Sequence, residues 1–192
     1  AEVTSHDICT PLRAIRYYTH LLRKDMEDTS IDDPKGYLNT IDSAVFEGEE
    51  LAQNLLALSR VGQSDLCSEK VDTGALLEKI ITAAGLPEDV EVTKKKEWPV
   101  IDADPTLLGQ IFRNLIDNAV KFNSSPHKRI ELNWELIEND SYEFTVKDNG
   151  IGISPRNHEE IFNVFRQLHH RSEYQGTGIG LSIVKKAASK LG

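Results

Sequence analysis

The sequence predicts an α+β protein in which a helical hairpin precedes a mixed α/β domain. Residues 1–65 contain few strand-forming residues and place their apolar side chains at helical spacing. Residues 66–192 instead alternate helical patterns with short runs typical of strands. A length of 192 residues suits one large domain or two small ones. We therefore predict two domains, at 1–65 and 66–192.

Two apolar stripes define the predicted hairpin. They consist of Ile8, Leu12, Ile15, Leu22 and Met26, and then of Leu38, Ile41, Val45, Leu51, Leu55 and Leu58. Between them, Asp33-Pro34 is a helix-start signal, because Asp33 can cap the helix and Pro34 suits its first turn. Two helices alone cannot bury both sides of such stripes, so we expect a homodimer through the hairpin that forms a four-helix bundle. The alternative is that the hairpin packs only on the rest of its own chain.

The elements predicted for the second domain follow in order. A helix over 73–84 ends at Gly85, and short strands follow near 90–93 and 100–102. Asp104-Pro105 opens a long helix that runs to about Phe122. Two antiparallel strands over 129–136 and 142–147 precede a last helix from about 178 to 191. The long helix is expected to bury Leu107, Leu108, Ile111, Leu115, Ala119 and Phe122.

Composition excludes several classes of protein. The net charge of −9 argues against a nucleic-acid partner, which requires a basic face. No apolar run approaches the roughly 20 residues that span a bilayer, and residues 1–20 lack the apolar core of a signal peptide. Cys9 and Cys67 lie far apart and indicate reduced thiols. We expect a cytoplasmic chain, whose full-length protein could be anchored to a membrane through N-terminal parts not present here.

The first segment that suggests chemistry is Ser5 to Pro11. His6 precedes Ile8 by two residues, which places it about 200° around the helix from the apolar stripe and therefore towards solvent. Asp7 can accept the Nδ1–H of His6 and leave Nε2 as a nucleophile. Thr10 follows on the same face, and Pro11 is expected to bend the helix. Taken alone, this segment fits an exposed histidine on a surface helix better than it fits a reactive one.

The second segment lies in the long helix. Asn114 and Asn118 are four residues apart and share a face, which Lys121 extends. Two amide oxygens and an ammonium group suit a Mg²⁺–triphosphate, because Mg²⁺ prefers oxygen ligands and the ammonium can bind a phosphate oxygen. The plain alternative is a helix whose polar side is simply wet.

Two glycine-bearing turns complete the set. Asp148-Asn149-Gly150-Ile151-Gly152-Ile153 follows a strand, where a carboxylate can accept a hydrogen bond from an exocyclic amino group. Gly176-Thr177-Gly178-Ile179-Gly180-Leu181 leads into the last helix, whose N-terminus favours phosphate. The first segment alone is a weak indication of a ligand site and is often just a turn. The second is a stronger indication, and its plain alternative is a flexible loop with a helix cap.

Together, the four segments resemble the transmitter core of the sensor histidine kinases. Their order matches the phosphoacceptor, asparagine and two glycine motifs of that family, with Phe162 and Phe165 between the glycine motifs. The stretch 166–176 is similar to the short lid of phytochrome-type kinases. The resemblance implies a dimeric hairpin followed by a Bergerat-type α/β sandwich. Because the family continues past Gly192 and begins before Ala1, we expect a core truncated at its C-terminal strands and lacking its upstream sensor module.

The resemblance also implies roles for individual residues. His6 is the expected phosphoacceptor, Asp7 the general base, and Thr10 the residue that places water during dephosphorylation of a partner. ATP and Mg²⁺ are the implied cofactors, with Asn118 as metal ligand assisted by Asn114. The residues implied to bind the nucleotide are Asn114, Asn118, Lys121, Phe122, Asp148, Gly150, Ile151, Gly152, Ile153, Phe165, Arg166, Arg171, Gly176, Thr177, Gly178, Gly180 and Leu181.

The implied function is that of a two-component kinase. ATP-dependent phosphorylation of His6 would precede transfer to an aspartate in the receiver domain of a response regulator, with a phosphatase activity also open. Gln167 stands where the family often has arginine, so either Arg166 or Arg171 is left to contact the γ-phosphate. The alternatives are a regulatory or phosphatase-only module that retains ATP binding, and another ATPase of the same fold. The intact His6 and Asn118 argue against the former, and the hairpin against the latter.

Overall fold

A computed structural model describes residues 2–27, 34–63, 66–94, 97–137, 141–168 and 176–192. Two long helices come first, α1 (Glu2–Glu27) and α2 (Pro34–Gln63), and they pack side by side. They confirm the predicted helical hairpin. Helix α1 is continuous through Pro11, whereas the predicted cap Asp33 lies outside the described residues. Among the described residues, no helix combines the length and apolar character needed to cross a bilayer.

The second part of the chain builds two small sheets with three helices. Its elements are β1 (Glu69–Asp72), α3 (Thr73–Ala84), β2 (Val90–Lys94), β3 (Val100–Ala103), α4 (Pro105–Lys121), β4 (Lys128–Leu136), β5 (Tyr142–Asp148) and α5 (Gly180–Leu191). Short 3₁₀ turns at Pro155–Asn157 and Glu160–Phe162 lie between β5 and α5. The predicted helices and strands are confirmed to within about two residues. Strand β1 was not predicted, because four residues with only one buried position carry too short a pattern.

The strand order shows how the sheets bring distant segments together. Strand β1 pairs antiparallel with β3, while β4 is central in the other sheet, parallel to β2 and antiparallel to β5. The β4–β5 register places Ile130 opposite Asp148. This pairing puts the predicted carboxylate at the end of a sheet strand, beside the loop that follows α4.

Helix α4 is the centre of the core and corrects one prediction. It buries Phe112 and Ile116 against the sheet together with Leu108, rather than the predicted Leu115 and Phe122. Leu107 and Ile111 pack instead with residues of α5 and α2. Because α4 is covered on two sides, it has two apolar faces. The prediction assumed a single apolar face and therefore combined residues from both. Leu115 and Phe122 are only partly buried, and they lie next to the asparagine face.

Part of the hairpin is covered by the second part of the chain. The C-terminal half of α2 packs in a hydrophobic cluster with α5, as the own-chain alternative expects; the cluster is formed by Leu51, Val61, Leu107, Ile179, Ile183 and Ala187. Other residues of the predicted stripes remain exposed: Leu12 is 59% exposed, Leu38 51% and Val45 41%. Packing on the same chain therefore holds for the C-terminal half of α2, and the homodimer stays a prediction.

Candidate nucleotide site

The end of α4, the turn after β5 and the loop before α5 meet at one side of the sheet domain. Helix α4 is oriented by its first turn, where Asp104 Oδ1 accepts hydrogen bonds from Thr106 N at 2.9 Å and Leu107 N at 3.1 Å. The same carboxylate accepts from Cys67 N at 3.2 Å through Oδ2. Such a cap fixes where the helix begins, and its two buried faces fix its rotation. Asn114, Asn118 and Lys121 are thereby directed away from the core.

Asn114 has its amide oriented by its own helix. Its Nδ2 donates to the carbonyl of Gln110 at 2.8 Å, which fixes the orientation of the amide. Its Oδ1 faces Gly180, the first residue of α5, where a Cβ atom would lie 2.8 Å away. An amide oxygen held in this way next to a helix N-terminus fits a hard cation that also binds phosphate oxygens.

Lys121 reaches the other end of the same glycine loop. Its Nζ lies against Gly176, where a side chain would collide with it, and 5.0 Å from the ring centroid of Phe122. Desolvation by burial lowers the pKa of Lys121, while the carboxylates of Glu50 and then Asp117 oppose that shift. A partly dehydrated ammonium group beside a glycine loop is suited to bind a phosphate.

Asp148 and Gly150 form a tight turn against the end of α4. Asp148 Oδ1 accepts from Gly150 N at 2.8 Å, and Ile151 N donates to the carbonyl of Phe122 at 3.0 Å. Gly150 lies so close to this carbonyl that no side chain would fit. Because Oδ1 is used in the turn, the other carboxylate oxygen of this exposed residue is the one that can accept from a ligand. Ile151 and Ile153 are exposed beside it.

Asn149 holds the same turn to the end of the sheet. Its Oδ1 accepts from Arg129 N at 2.7 Å and from Asn123 Nδ2 at 2.8 Å, and its Nδ2 donates to the carbonyl of His127 at 3.0 Å. Sequence reasoning assigned no role to Asn149 or Asn123. Asn149 and Asn123 meet only because the two loops approach each other in the fold, and their hydrogen bonds hold the turn of Asp148 in place.

The glycine loop is held from both sides. Gly178 has φ +69°, and a side chain there would lie 2.8 Å from the backbone of Phe165. Phe165 N donates to the carbonyl of Gly178 at 2.9 Å, and Gln167 Nε2 donates to that of Gly176 at 2.5 Å. Gln167, which replaces the arginine expected by the family, therefore anchors the loop.

The two candidate lid arginines differ in what the structure describes. Arg166 forms an ion pair with Glu160 rather than with the glycine loop. Arg171 lies outside the described residues. The choice between them therefore stays open. Gly152 lies in the turn that follows Asp148, and Leu181 lies in the first turn of α5. Both positions agree with the segments predicted from the sequence.

Helix α2 contacts the nucleotide site, a contact that the sequence did not suggest. Asn54 Nδ2 donates to the hydroxyl of Thr177 at 3.0 Å, in the middle of the glycine loop. Lys186 and Lys190 of α5 donate to the carbonyls of Leu58 and Val61 at 3.0 and 2.9 Å. Residues more than 120 positions apart are paired here, so no local pattern could reveal them.

The predicted phosphoacceptor segment lies within α1. His6 and Asp7 are helical residues there, and their side chains lie outside the described part of the chain. Thr10, one turn later, is partly buried. Cys9 and Cys67 are both free thiols, as predicted.

Comparison with known proteins gives this arrangement a family. Residues 1–64 match the His Kinase A (phospho-acceptor) domain, and residues 103–192 match the Histidine kinase-, DNA gyrase B-, and HSP90-like ATPase family. The chain is 37% identical to Cyanobacterial phytochrome B of Nostoc sp. over 199 residues, covering 100% of this chain and 26% of the relative.

Two solved structures support the fold. Acinetobacter baumannii histidine kinase AdeS aligns with a TM-score of 0.72 at 19% identity, over 96% of this chain and 86% of that one. Histidine kinase ThkA, solved in complex with response regulator protein TrrA, aligns with a TM-score of 0.69 at 18% identity, over 88% and 50% of the two chains.

The chain belongs to the histidine kinases, as a transmitter core that joins a phosphoacceptor hairpin to an ATP-binding domain. This confirms the resemblance stated from its motifs. The chain spans about a quarter of the length of the phytochrome relative.

Proposed function

We propose that this chain is the kinase core of a two-component sensor, which phosphorylates His6 from ATP and passes the phosphoryl group to a response regulator. The observation that carries the proposal is the approach of Asn114 and Lys121 to the glycine loop, with the turn of Asp148 held against the end of the same helix, in a chain whose α1 bears His6. A hairpin with a histidine and a separate nucleotide site together supply both partners of a phosphoryl transfer.

The nucleotide-binding residues act by position and charge. Asp148 accepts a hydrogen bond from the adenine amino group, while Lys121 and the N-terminus of α5 bind phosphate oxygens. Asn118 and Asn114 would hold Mg²⁺ through their amide oxygens, and the ion would supply neutralisation of the charge on the phosphates. Gly176, Thr177 and Gly178 let the loop follow the phosphate chain closely.

His6 supplies the nucleophile. Its Nε2 attacks the γ-phosphorus, and a P–N bond forms as the bond from phosphorus to the β,γ-bridging oxygen breaks, with that electron pair leaving on ADP. The Nδ1 proton passes to the carboxylate of Asp7 and then to water. The attack requires the neutral imidazole, in which the lone pair of Nε2 is free.

The partners follow from the same chemistry. A second copy of the chain covers the exposed stripe of the hairpin, and a receiver-domain aspartate takes the phosphoryl group from His6. Thr10, one turn after His6, positions the water molecule that hydrolyses the phosphoaspartate of the regulator. ATP and reduced thiols are both typical of the cytoplasm, where we place this chain.

Incubation with γ-labelled ATP and Mg²⁺ tests the proposal. We expect a label on the protein that is lost in acid and kept in base, as phosphoramidates are. The label should be absent in His6→Gln and unchanged in His20→Gln, a matched histidine further along α1. ATP hydrolysis without any protein label would instead identify another ATPase of the same fold.

The phosphatase step is tested separately with a phosphorylated receiver domain. Thr10→Ala should keep the histidine label and lose the ability to accelerate dephosphorylation. If wild type dephosphorylates the regulator but never becomes labelled, the phosphatase-only alternative is correct.

A further inference from the structure

We propose that helix α2 completes the phosphate end of the nucleotide site, where Asn54 fixes the hydroxyl of Thr177 as a hydrogen-bond donor to the phosphate chain of ATP. Asn54 is a positioning residue in this scheme, because it acts on the ligand only through Thr177. The inference deepens the proposed function and rests on it. It is carried by the hydrogen bond between the two residues, by the proton that this bond leaves unpaired, and by the groups that surround Thr177.

The hydrogen bond defines the two sides of the Thr177 hydroxyl. Asn54 Nδ2 donates to Thr177 Oγ1 at 3.0 Å, so the oxygen uses a lone pair on the hairpin and its proton is directed elsewhere. Within the described part of the chain, this proton has no hydrogen-bond acceptor. Thr177 is only 5% exposed, which leaves little room for bulk water to accept it. A buried donor without an acceptor costs free energy, and a ligand oxygen that accepts the proton removes that penalty.

The neighbours of Thr177 are suited to phosphate. Gly176, one residue before it, lies against the ammonium group of Lys121, and Gly180, three residues after it, begins α5. A phosphate oxygen bound to that ammonium group or to the N-terminus of α5 is therefore close to the Thr177 hydroxyl. Hydrogen bonds from a hydroxyl to an ionised oxygen are shorter and stronger than those to a neutral one. The unpaired proton thus lies where an anionic oxygen is expected.

Helix α2 borders this phosphate end over more than one turn. Glu50, one turn before Asn54, is close enough to Lys121 to oppose the lowering of the Lys121 pKa by burial. Glu50 and Asn54 are both partly buried, and their spacing of four residues places them on the same side of α2. The hairpin therefore contributes a wall to the nucleotide site, in addition to carrying His6.

The direction of Asn54 is fixed by contacts further along α2. Lys186 of α5 donates to the carbonyl of Leu58 at 3.0 Å. Lys190 donates to the carbonyl of Val61 at 2.9 Å, and Val61 itself is buried in the cluster shared with α5. Because α2 and α5 are joined in this way, the amide of Asn54 orients the hydroxyl with little further loss of conformational entropy.

Calorimetric titration with ATP tests the donor. Asn54→Asp keeps the size of the side chain but replaces the donor with an acceptor, so the hydroxyl donates to the carboxylate and is lost to the phosphate. The affinity for ATP should fall about 10- to 50-fold. Gln53→Glu adds the same charge at the exposed neighbouring position and should stay within about twofold of wild type. Adenosine, which lacks phosphates, should bind wild type and both variants with equal affinity.

Substitutions of Thr177 test the same bond from the other side. Thr177→Val removes the hydroxyl at nearly constant shape and should lower ATP affinity about 10-fold, whereas Thr177→Ser should retain it. Asn54→Leu removes only the orientation of the hydroxyl and should lower ATP affinity about two- to fivefold. Combined with Thr177→Val, it should cause no further loss, because Asn54 acts through that hydroxyl.

The opposite outcomes are distinguishable. Normal ATP affinity in Asn54→Asp or Thr177→Val, or additive losses in the double variant, overturns the role of α2 in the site. A parallel loss of adenosine affinity shows that the whole pocket is disturbed and overturns it as well. If Asn54→Asp does not fold, Asn54→Leu and Thr177→Val decide the question. A wild-type chain that binds no ATP refutes the proposed function itself.

Discussion

The hairpin and the ATP-binding domain differ in how far they bury their apolar side chains within the chain. The ATP-binding domain closes its own core, where Leu77, Ile116 and Ile130 are fully buried. The hairpin instead leaves Leu12, Leu38 and Val45 exposed while fixing only one face of α2 on α5. One region buries its central apolar side chains within the chain, and the other leaves large apolar side chains exposed. The difference teaches that in this chain His6, the predicted phosphoacceptor, lies in the region that leaves apolar side chains exposed and not in the region with a closed core.

The largest effect is expected from breaking assembly. Leu38→Glu combined with Val45→Glu places two charges on the exposed stripe, so the dimer should dissociate completely at micromolar concentration, as measured by sedimentation. ATP binding per chain should not change, because neither Leu38 nor Val45 belongs to the candidate nucleotide site. Phe46→Glu, at an equally exposed apolar residue beside the stripe, is the control and should remain dimeric. A double variant that stays dimeric would refute the comparison.

The next largest effect is expected from a substitution in the core of the ATP-binding domain. Ile116→Ala removes a fully buried side chain from α4 and should lower the free energy of unfolding by about 2–5 kcal/mol. Leu136→Ala, at an exposed strand residue, should change it by less than about 0.5 kcal/mol. Urea denaturation followed by tryptophan fluorescence reports this domain, because Trp98 packs against its core. Equal losses in the two variants would count against the assignment of the core.

A smaller effect sharpens where the nucleotide binds. Asp148→Asn keeps an oxygen for Gly150 N but replaces the second acceptor with a donor, so ATP affinity should fall about 10- to 150-fold. Calorimetric titration measures it. Asp102→Asn, which removes an exposed carboxylate paired with Lys70, should leave ATP affinity unchanged. Unaltered binding in Asp148→Asn would remove this residue from the site.

The smallest effect is a dependence on pH. Burial lowers the pKa of Lys121, and the charged form is the one that binds phosphate, so ATP affinity should decline with rising pH sooner than for an ordinary lysine. Without ATP, the free energy of unfolding depends on pH in the opposite direction. The side chain of Lys121 binds its proton more tightly in the unfolded chain, so its contribution to stability rises with pH. Lys121→Arg should extend ATP binding to higher pH, since guanidinium stays charged. An unshifted alkaline limb in that variant would exclude Lys121 as its cause.

Much of the candidate site was predictable because local sequence patterns indicate its residues. The amide pair of Asn114 and Asn118 follows from helical spacing, and the turn at Asp148 follows from glycines after a strand. The brace by Asn149 and the anchor by Gln167 were not predictable, since each depends on loops that approach one another only after folding. The roles of His6, Asp7 and the lid arginines remain predictions.

The sequence by itself determined the helices, most strands, the order of the motifs and the need of the hairpin for a covering surface, because these depend on spacing between near neighbours. The tertiary structure decided the two apolar faces of α4, the parallel pairing of β2 with β4, and the contact of Asn54 with Thr177. Those features join segments far apart in the chain, and side-chain periodicity within one helix carries no information about which distant surface will meet it.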